Sequence, residues 1–193
     1  VINNTYARKA IAKGADGLIA VAAGAGGHAG RQNPFALLAE IREWFDGPLL
    51  LSGAISSGSA LLAAQVAGAD LGYIGSPFIA TEEANADATY KAMIVEGGAE
   101  DIITSAYFTG VSGNYLRGSI SRAGLDPDDL GETAKAMDFA GGQSKAKAWR
   151  DIWGSGQGIG AVKAVDTVES LVGRLEREYA AALTRVAAFA AGP

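Results

Sequence analysis

The chain contains no cysteine in its 193 residues. Disulfides, thiolate-ligated zinc and thiol nucleophiles are thereby excluded, and a reducing, cytoplasmic setting becomes the expectation. Histidine is almost absent as well: His28 is the only one. With no second imidazole and no thiol to complete a ligand set, no zinc-type metal site is expected. Positive charge is scarce. Sixteen Lys and Arg against 21 Asp and Glu leave a formal net charge of -5. Nucleic acid and anionic membrane surfaces both attract excess Lys and Arg, so neither is an expected partner. No unbroken apolar stretch reaches the roughly 18 residues that would span a bilayer, and no secretory leader is visible at the start. An initiator methionine is missing too. The chain opens on VINNTYARKA with what reads as the end of a strand, so it is expected to be the C-terminal part of a longer protein.

What the chain does have is apolar bulk and glycine: 49% hydrophobic residues, 19% charged residues and 27 glycines. That is enough for one ordinary buried core. Over the first hundred residues, apolar runs alternate with helical patterns. Val1 and Ile2 read as a strand end, followed by a helix over Thr5–Lys13 capped by Asn4. Strands are expected at Gly17–Val21, Pro48–Ser52 and Leu71–Ile74. Between them fall a helix begun by Asn33-Pro34, with Phe35, Leu38, Ile41 and Phe45 at helical spacing, and a helix over Ser57–Ala67. A further helix is expected from about Glu82 to Val95, with the Glu82-Glu83 pair supporting its N-terminus.

Repeated βα units imply a parallel sheet, either doubly wound or part of a (β/α)8 barrel. Three complete units and one partial strand correspond to the C-terminal half of such a barrel, over residues 1–96. The alternation stops at Gly97. Residues 97–165 read as an appended, mostly helical lid or insertion, with Lys145, Lys147 and Arg150 on a solvated face. Residues 166–193 read as a long outer helix. Asp166 and Glu169 resemble a capping box, and Val168, Leu171, Val172, Leu175, Tyr179, Ala182, Leu183 and Val186 mark its apolar face.

Ligands of parallel α/β folds sit at the carboxyl ends of the strands. Three glycine-rich loops leave those ends: AAGAGGHAG, SGAISSG and GSPFIAT. The second and third resemble a phosphate cradle, with Gly53 allowing close backbone approach and Gly75-Ser76-Pro77 opening a short helix. Read as residues alone, the same glycines also suit plain turns and helix caps. His28, flanked by glycine after a strand end, is poorly placed to pack into a core and well suited to take a proton near neutral pH. Asn114, Tyr115 and Arg117 either close over a substrate or form a turn, and Gln157, set between glycines, either contacts a planar ligand or belongs to a tight turn.

In order and spacing, GAGGHAG, LSGAISSG and GADLGYIGSPFIAT resemble the nitronate monooxygenase family, formerly called 2-nitropropane dioxygenases. The likeness covers Ala15 to about Lys91 and continues more loosely through WGSGQGIG. It implies an FMN-dependent TIM barrel that oxidises alkyl nitronates or nitroalkanes with O2 to a carbonyl compound and nitrite. It also implies that His28 is the catalytic base and that Gly26 and Gly27 line the flavin. The N–H groups of Gly53 and Ala54, with Gly75 and Ser76, would bind the FMN phosphate, and Gln157 would approach the flavin. Self-association is left open. Two rival readings stand beside this one: an NAD(P)H-dependent flavin reductase of quinones or enoyl-thioesters, and a non-catalytic binding or scaffold domain. A chain starting at Val1 is not expected to close a barrel or to hold FMN well alone.

Overall fold

A computed structural model describes residues 1–131 and 149–190. Its first half is a parallel sheet wrapped by helices. Helix α1 (Asn4–Ala12) is capped by Asn3, whose side chain accepts the Tyr6 N–H at 3.0 Å. Asn4, the expected cap, lies one residue inside the helix and accepts the Trp44 indole N–H at 2.6 Å instead. Strand β1 (Leu18–Val21) is flanked by Val1, which bonds Ile19 and Val21 at 2.7 Å each.

The chain then runs through β2 (Gly27–His28), α2 (Pro34–Arg42), β3 (Leu49–Ser52), α3 (Gly58–Val66) and β4 (Leu71–Gly72). Strands β1, β3 and β4 pair in parallel in that order. Central β3 buries Leu49 and Leu51, as its apolar run requires. Strand β4 is only two residues long, shorter than its apolar run suggests, because it lies at the sheet edge with Leu71 and Tyr73 exposed.

Helix α2 starts as expected, with Asn33 accepting the Phe35 N–H and Pro34 in the first turn. Its core face is Leu37, Leu38 and Ile41, and Phe35 is 63% exposed. At about 100° per residue, Phe35 stands beyond the edge of that stripe. With Ala7, Ala20, Ala22, Ala64 and Ala69, these side chains form the main core.

After the short helix α4 (Ser76–Ile79) comes α5 (Ala88–Glu96). The expected start at Glu82 is displaced because the Glu82 N–H pairs with the Asp166 carbonyl at 2.9 Å, so Asp87 becomes the cap. Glu83 does support a helix N-terminus, but that of α7 (Val168–Ala190), where its carboxylate accepts the Val168 N–H at 2.9 Å. Thr167, rather than Asp166, caps α7 through the Ser170 N–H. Helix α7 buries Leu171, Leu175 and Ala182 and leaves Val172, Leu183 and Val186 exposed among the described residues.

The region expected to be mostly helical contains strands. β5 (Ile102–Ser105) and β6 (Gly113–Leu116) form an antiparallel sheet with β2, in the order β2-β6-β5. All four β6 residues are buried, which erases the alternation that would have revealed a strand. The short α6 (Arg117–Arg122) follows. Arg150 is exposed and pairs with Asp151 at 2.7 Å; Lys145 and Lys147 lie outside the described residues. Among the described residues, no helix is long and apolar enough to cross a membrane.

Candidate functional site

The loops that follow β1, β3 and β4 meet at one end of the sheet and enclose a cleft of about 260 Å3. Gly26 and Gly27 come from the first loop, Gly53 and Ala54 from the second, Gly75 and Ser76 from the third, and all six line it. The fourth wall is Gly154, Gly156 and Gly158, with Tyr90 and Trp149 at the side. No charged side chain is among the described lining residues.

Glycine is required where the first and fourth walls touch. A Cβ on Gly26 would lie 2.8 Å from the Gly156 nitrogen, and one on Gly156 would lie 2.6 Å from the Gly24 carbonyl oxygen. Both contacts are backbone against backbone, which cannot yield to a rotamer change. The sequence therefore brings WGSGQGIG against GAGGHAG, joined by the Gln157 N–H to the Gly24 carbonyl at 2.9 Å.

The phosphate-type loops differ in their free donors. The Ala54 N–H, a phosphate donor in the resemblance, is already given to the Gly24 carbonyl at 3.2 Å. Ala54 takes φ +54°, a left-handed turn that costs a residue with a Cβ about 1 kcal/mol. The Gly53 N–H makes no bond among the described residues. The Ser76 hydroxyl accepts the Gly156 N–H at 2.9 Å, which leaves its own proton free to donate. The N-terminus of α3 is not open to an anion: the Gly58 N–H is taken by Glu178 from α7 at 2.9 Å.

His28 does not project from a slack loop. It sits in β2, opposite Gly113 of β6, just past the wall residue Gly27. Its ring is exposed, with Nε2 3.0 Å from the Thr109 hydroxyl. The same hydroxyl lies 3.1 Å from the Val111 carbonyl. Nε2 is thereby engaged, while Nδ1 has no hydrogen-bond partner among the described residues.

Asn114 is 2% exposed and is a strut rather than a cover. Its amide donates to the Ala25 carbonyl at 2.6 Å and its oxygen accepts from Thr104, which fixes the glycine loop. Tyr115 is fully buried, and Arg117 pairs with Asp128 at 2.7 Å. Gln157 is exposed, and its side-chain oxygen stands 3.0 Å from where a Cβ on Gly24 would lie; it is not part of the cleft wall.

Tyr90 and Trp149 were not legible as site residues. Tyr90 lies on helix α5, stacks on Trp153 at 4.8 Å and donates its hydroxyl to the Gly154 carbonyl. Burial pushes its pKa up to about 12, so it is a neutral donor rather than a base. The only sequence signal for Trp149 is its place just before the glycines of the fourth wall.

The nitronate monooxygenase family profile matches residues 3–178. A nitronate monooxygenase of Paraburkholderia phytofirmans is 25% identical over 196 residues, covering 93% of this chain and 53% of that protein. Among solved structures, nitroalkane oxidase of Streptomyces ansochromogenes is 25% identical with a TM-score of 0.71, covering 96% of this chain and 58% of that one. FabK of Thermotoga maritima, 21% identical, shares the fold with a TM-score of 0.77 over 98% of this chain and 62% of that one. The chain spans about half the length of the curated relatives it matches.

Proposed function

The chain belongs to the nitronate monooxygenase family, and from that premise we propose that its cleft binds FMN and that the full-length protein oxidises alkyl nitronates with O2 to a carbonyl compound and nitrite. One observation carries this reading. Gly26, Gly27, Gly53, Ala54, Gly75 and Ser76 come from three separate strand ends and converge on one cleft, with His28 one residue beyond its wall. In this reading residues 1–96 are the C-terminal βα units of a (β/α)8 barrel, residues 97–165 an insertion and residues 166–193 an outer helix.

The residues present fit the phosphate end of the flavin. No carboxylate in the described lining repels a dianion. The Gly53 N–H and the Ser76 hydroxyl proton are the donors that meet it, with Ala54 shaping the turn that aims Gly53. The cleft is smaller than the roughly 300–1,000 Å3 of sites that enclose a whole ligand, so these residues hold part of the nucleotide.

When bound, the flavin supplies the electron transfer to O2. His28 takes an α-proton from a neutral nitroalkane, or orients the nitronate, through Nδ1, because Nε2 is held by Thr109. Asn114 and the glycine contacts keep the loop that carries His28 in place. In the full-length protein, His28→Asn is expected to abolish turnover of the neutral nitroalkane far more than turnover of the preformed nitronate. Equal, small losses on both would remove His28 from the chemistry. Rapid flavin bleaching by NADH without oxygen would favour a reductase, and a protein with no flavin spectrum would favour a binding domain.

A further inference from the structure

A second cavity, of about 750 Å3, opens beside the cleft and is polar where the cleft is not: Asp87, Arg122 and Arg150 are among its walls. Two residues line both spaces, Tyr90 and Trp149. Tyr90 is held by its stack on Trp153 and its bond to Gly154. Trp149 is held differently. The edge of its indole lies 3.3 Å from where a Cβ on Gly27 would stand and 3.2 Å from the same position on Gly154. The ring thus occupies a slot that exists because both neighbours are glycine. On one side it meets the His28 ring edge-on, with centroids 5.1 Å apart at 89°. On the other it packs against Tyr115 at 5.5 Å. Its backbone takes φ +70°, a region that bulky residues rarely occupy, so the surrounding contacts must hold it there.

We propose that Trp149 is a positioning residue: it fixes the orientation of the His28 ring. Its consequence for turnover rests on the nitronate reading above; the orientation itself does not. The imidazole has two restraints, Thr109 on Nε2 and Trp149 on the ring. The hydroxyl engages one nitrogen, and the indole sets where the other points.

A direct test follows His28 in the 1H–13C spectrum of the full-length protein, where its imidazole signals are identified by their loss in His28→Asn. Because losing the indole also removes its ring current, position is read from the nuclear Overhauser effect between the imidazole and the Thr109 methyl group rather than from the shifts. That effect is expected to fall at least about twofold in Trp149→Ala, as the ring leaves its rotamer, and to return in Trp149→Phe, which keeps a ring in the slot. In parallel, kcat/KM is measured for a neutral nitroalkane and for its preformed nitronate. Trp149→Ala is expected to lower the first about tenfold more than the second, as misplacing a proton-accepting group would, with Trp149→Phe near wild type. An unchanged Overhauser effect in a folded Trp149→Ala protein overturns the positioning role, and equal losses on both substrates overturn its link to proton transfer. A wild-type protein that turns over no nitronate overturns the functional reading instead, and the Overhauser effect then decides Trp149 alone.

Discussion

The carboxylate of Glu178 accepts the N–H of Gly58 at 2.9 Å, joining the start of α3 to the middle of α7 across 120 residues of chain. The two helices touch there backbone to backbone. A Cβ on Gly58 would lie 2.2 Å from both the Leu175 carbonyl oxygen and the Tyr179 nitrogen. Burial pushes the Glu178 carboxyl up, but the Gly58 N–H and the Arg174 guanidinium together outweigh it and hold the pKa below its ordinary value. Gly58→Ala is therefore expected to force the helices apart and to destabilise the protein by about 3 kcal/mol, the upper range for overpacking. Urea unfolding checks it; a loss below about 1 kcal/mol would mean that α7 moves away freely.

Gly173 gives the opposite expectation on the same helix. It sits inside α7, and a Cβ there meets only the end of the Arg177 side chain, at 3.2 Å. A flexible guanidinium can give way. Gly173→Ala should raise stability by about 0.5–1 kcal/mol through helix propensity and reduced unfolded-state freedom. The two alanine variants, compared in one unfolding series, separate close packing from backbone entropy.

Acid stability should depend on Asp70. Its carboxylate accepts the Leu49 N–H at 2.7 Å and pairs with Arg42 at 2.8 Å, while Arg42 also binds the carbonyls of Gly47 and Gly68. The backbone bond first, and Arg42 second, lower its pKa below the ordinary 3.8. A carboxyl whose folded pKa is depressed adds stability above its unfolded value, and that contribution is lost as pH falls through the folded one. The melting temperature of wild type should thus fall more steeply than that of Asp70→Asn as pH drops below about 4. Parallel curves for the two proteins would rule the linkage out.

Alkaline behaviour should report Tyr90. Its pKa is raised from 10.0 to about 12 because burial disfavours the phenolate. The stability it contributes is complete below pH 10 and is lost as pH rises through 12. Ultraviolet titration of the folded protein should therefore show a late tyrosine step that is absent from Tyr90→Phe.

These residues also mark where sequence reading reached and where it stopped. Buried strands β1 and β3 and the cap Asn33 were legible because apolar runs and capping side chains act locally. So were three walls of the cleft, since glycine loops at strand ends carry their own signal, whereas Tyr90 and Trp149 were not and Gln157 lies outside the wall. The second sheet was not, because β6 is buried on both faces and its partner β2 is only two residues long. The start of α5 was misplaced because a pairing with Asp166, 84 residues away, overrides helix propensity at Glu82. The family resemblance implied a donor at Ala54; only the fold shows its N–H given to Gly24.

Ser76 is where the cleft's construction and its proposed ligand can be tested together. Its hydroxyl accepts the buried Gly156 N–H at 2.9 Å and keeps one proton to donate. Ser76→Ala removes both. The stranded N–H should cost about 1–3 kcal/mol of stability, and loss of the free donor should weaken FMN binding about tenfold, as expected for one bond to a charged group. Ser76→Thr keeps the hydroxyl and should restore both quantities. Flavin fluorescence quenching in the full-length protein measures the affinity, and urea unfolding without flavin measures the stability. If Ser76→Ala lowers stability while leaving the flavin affinity at the wild-type value, Ser76 braces the fourth wall and the phosphate lies elsewhere.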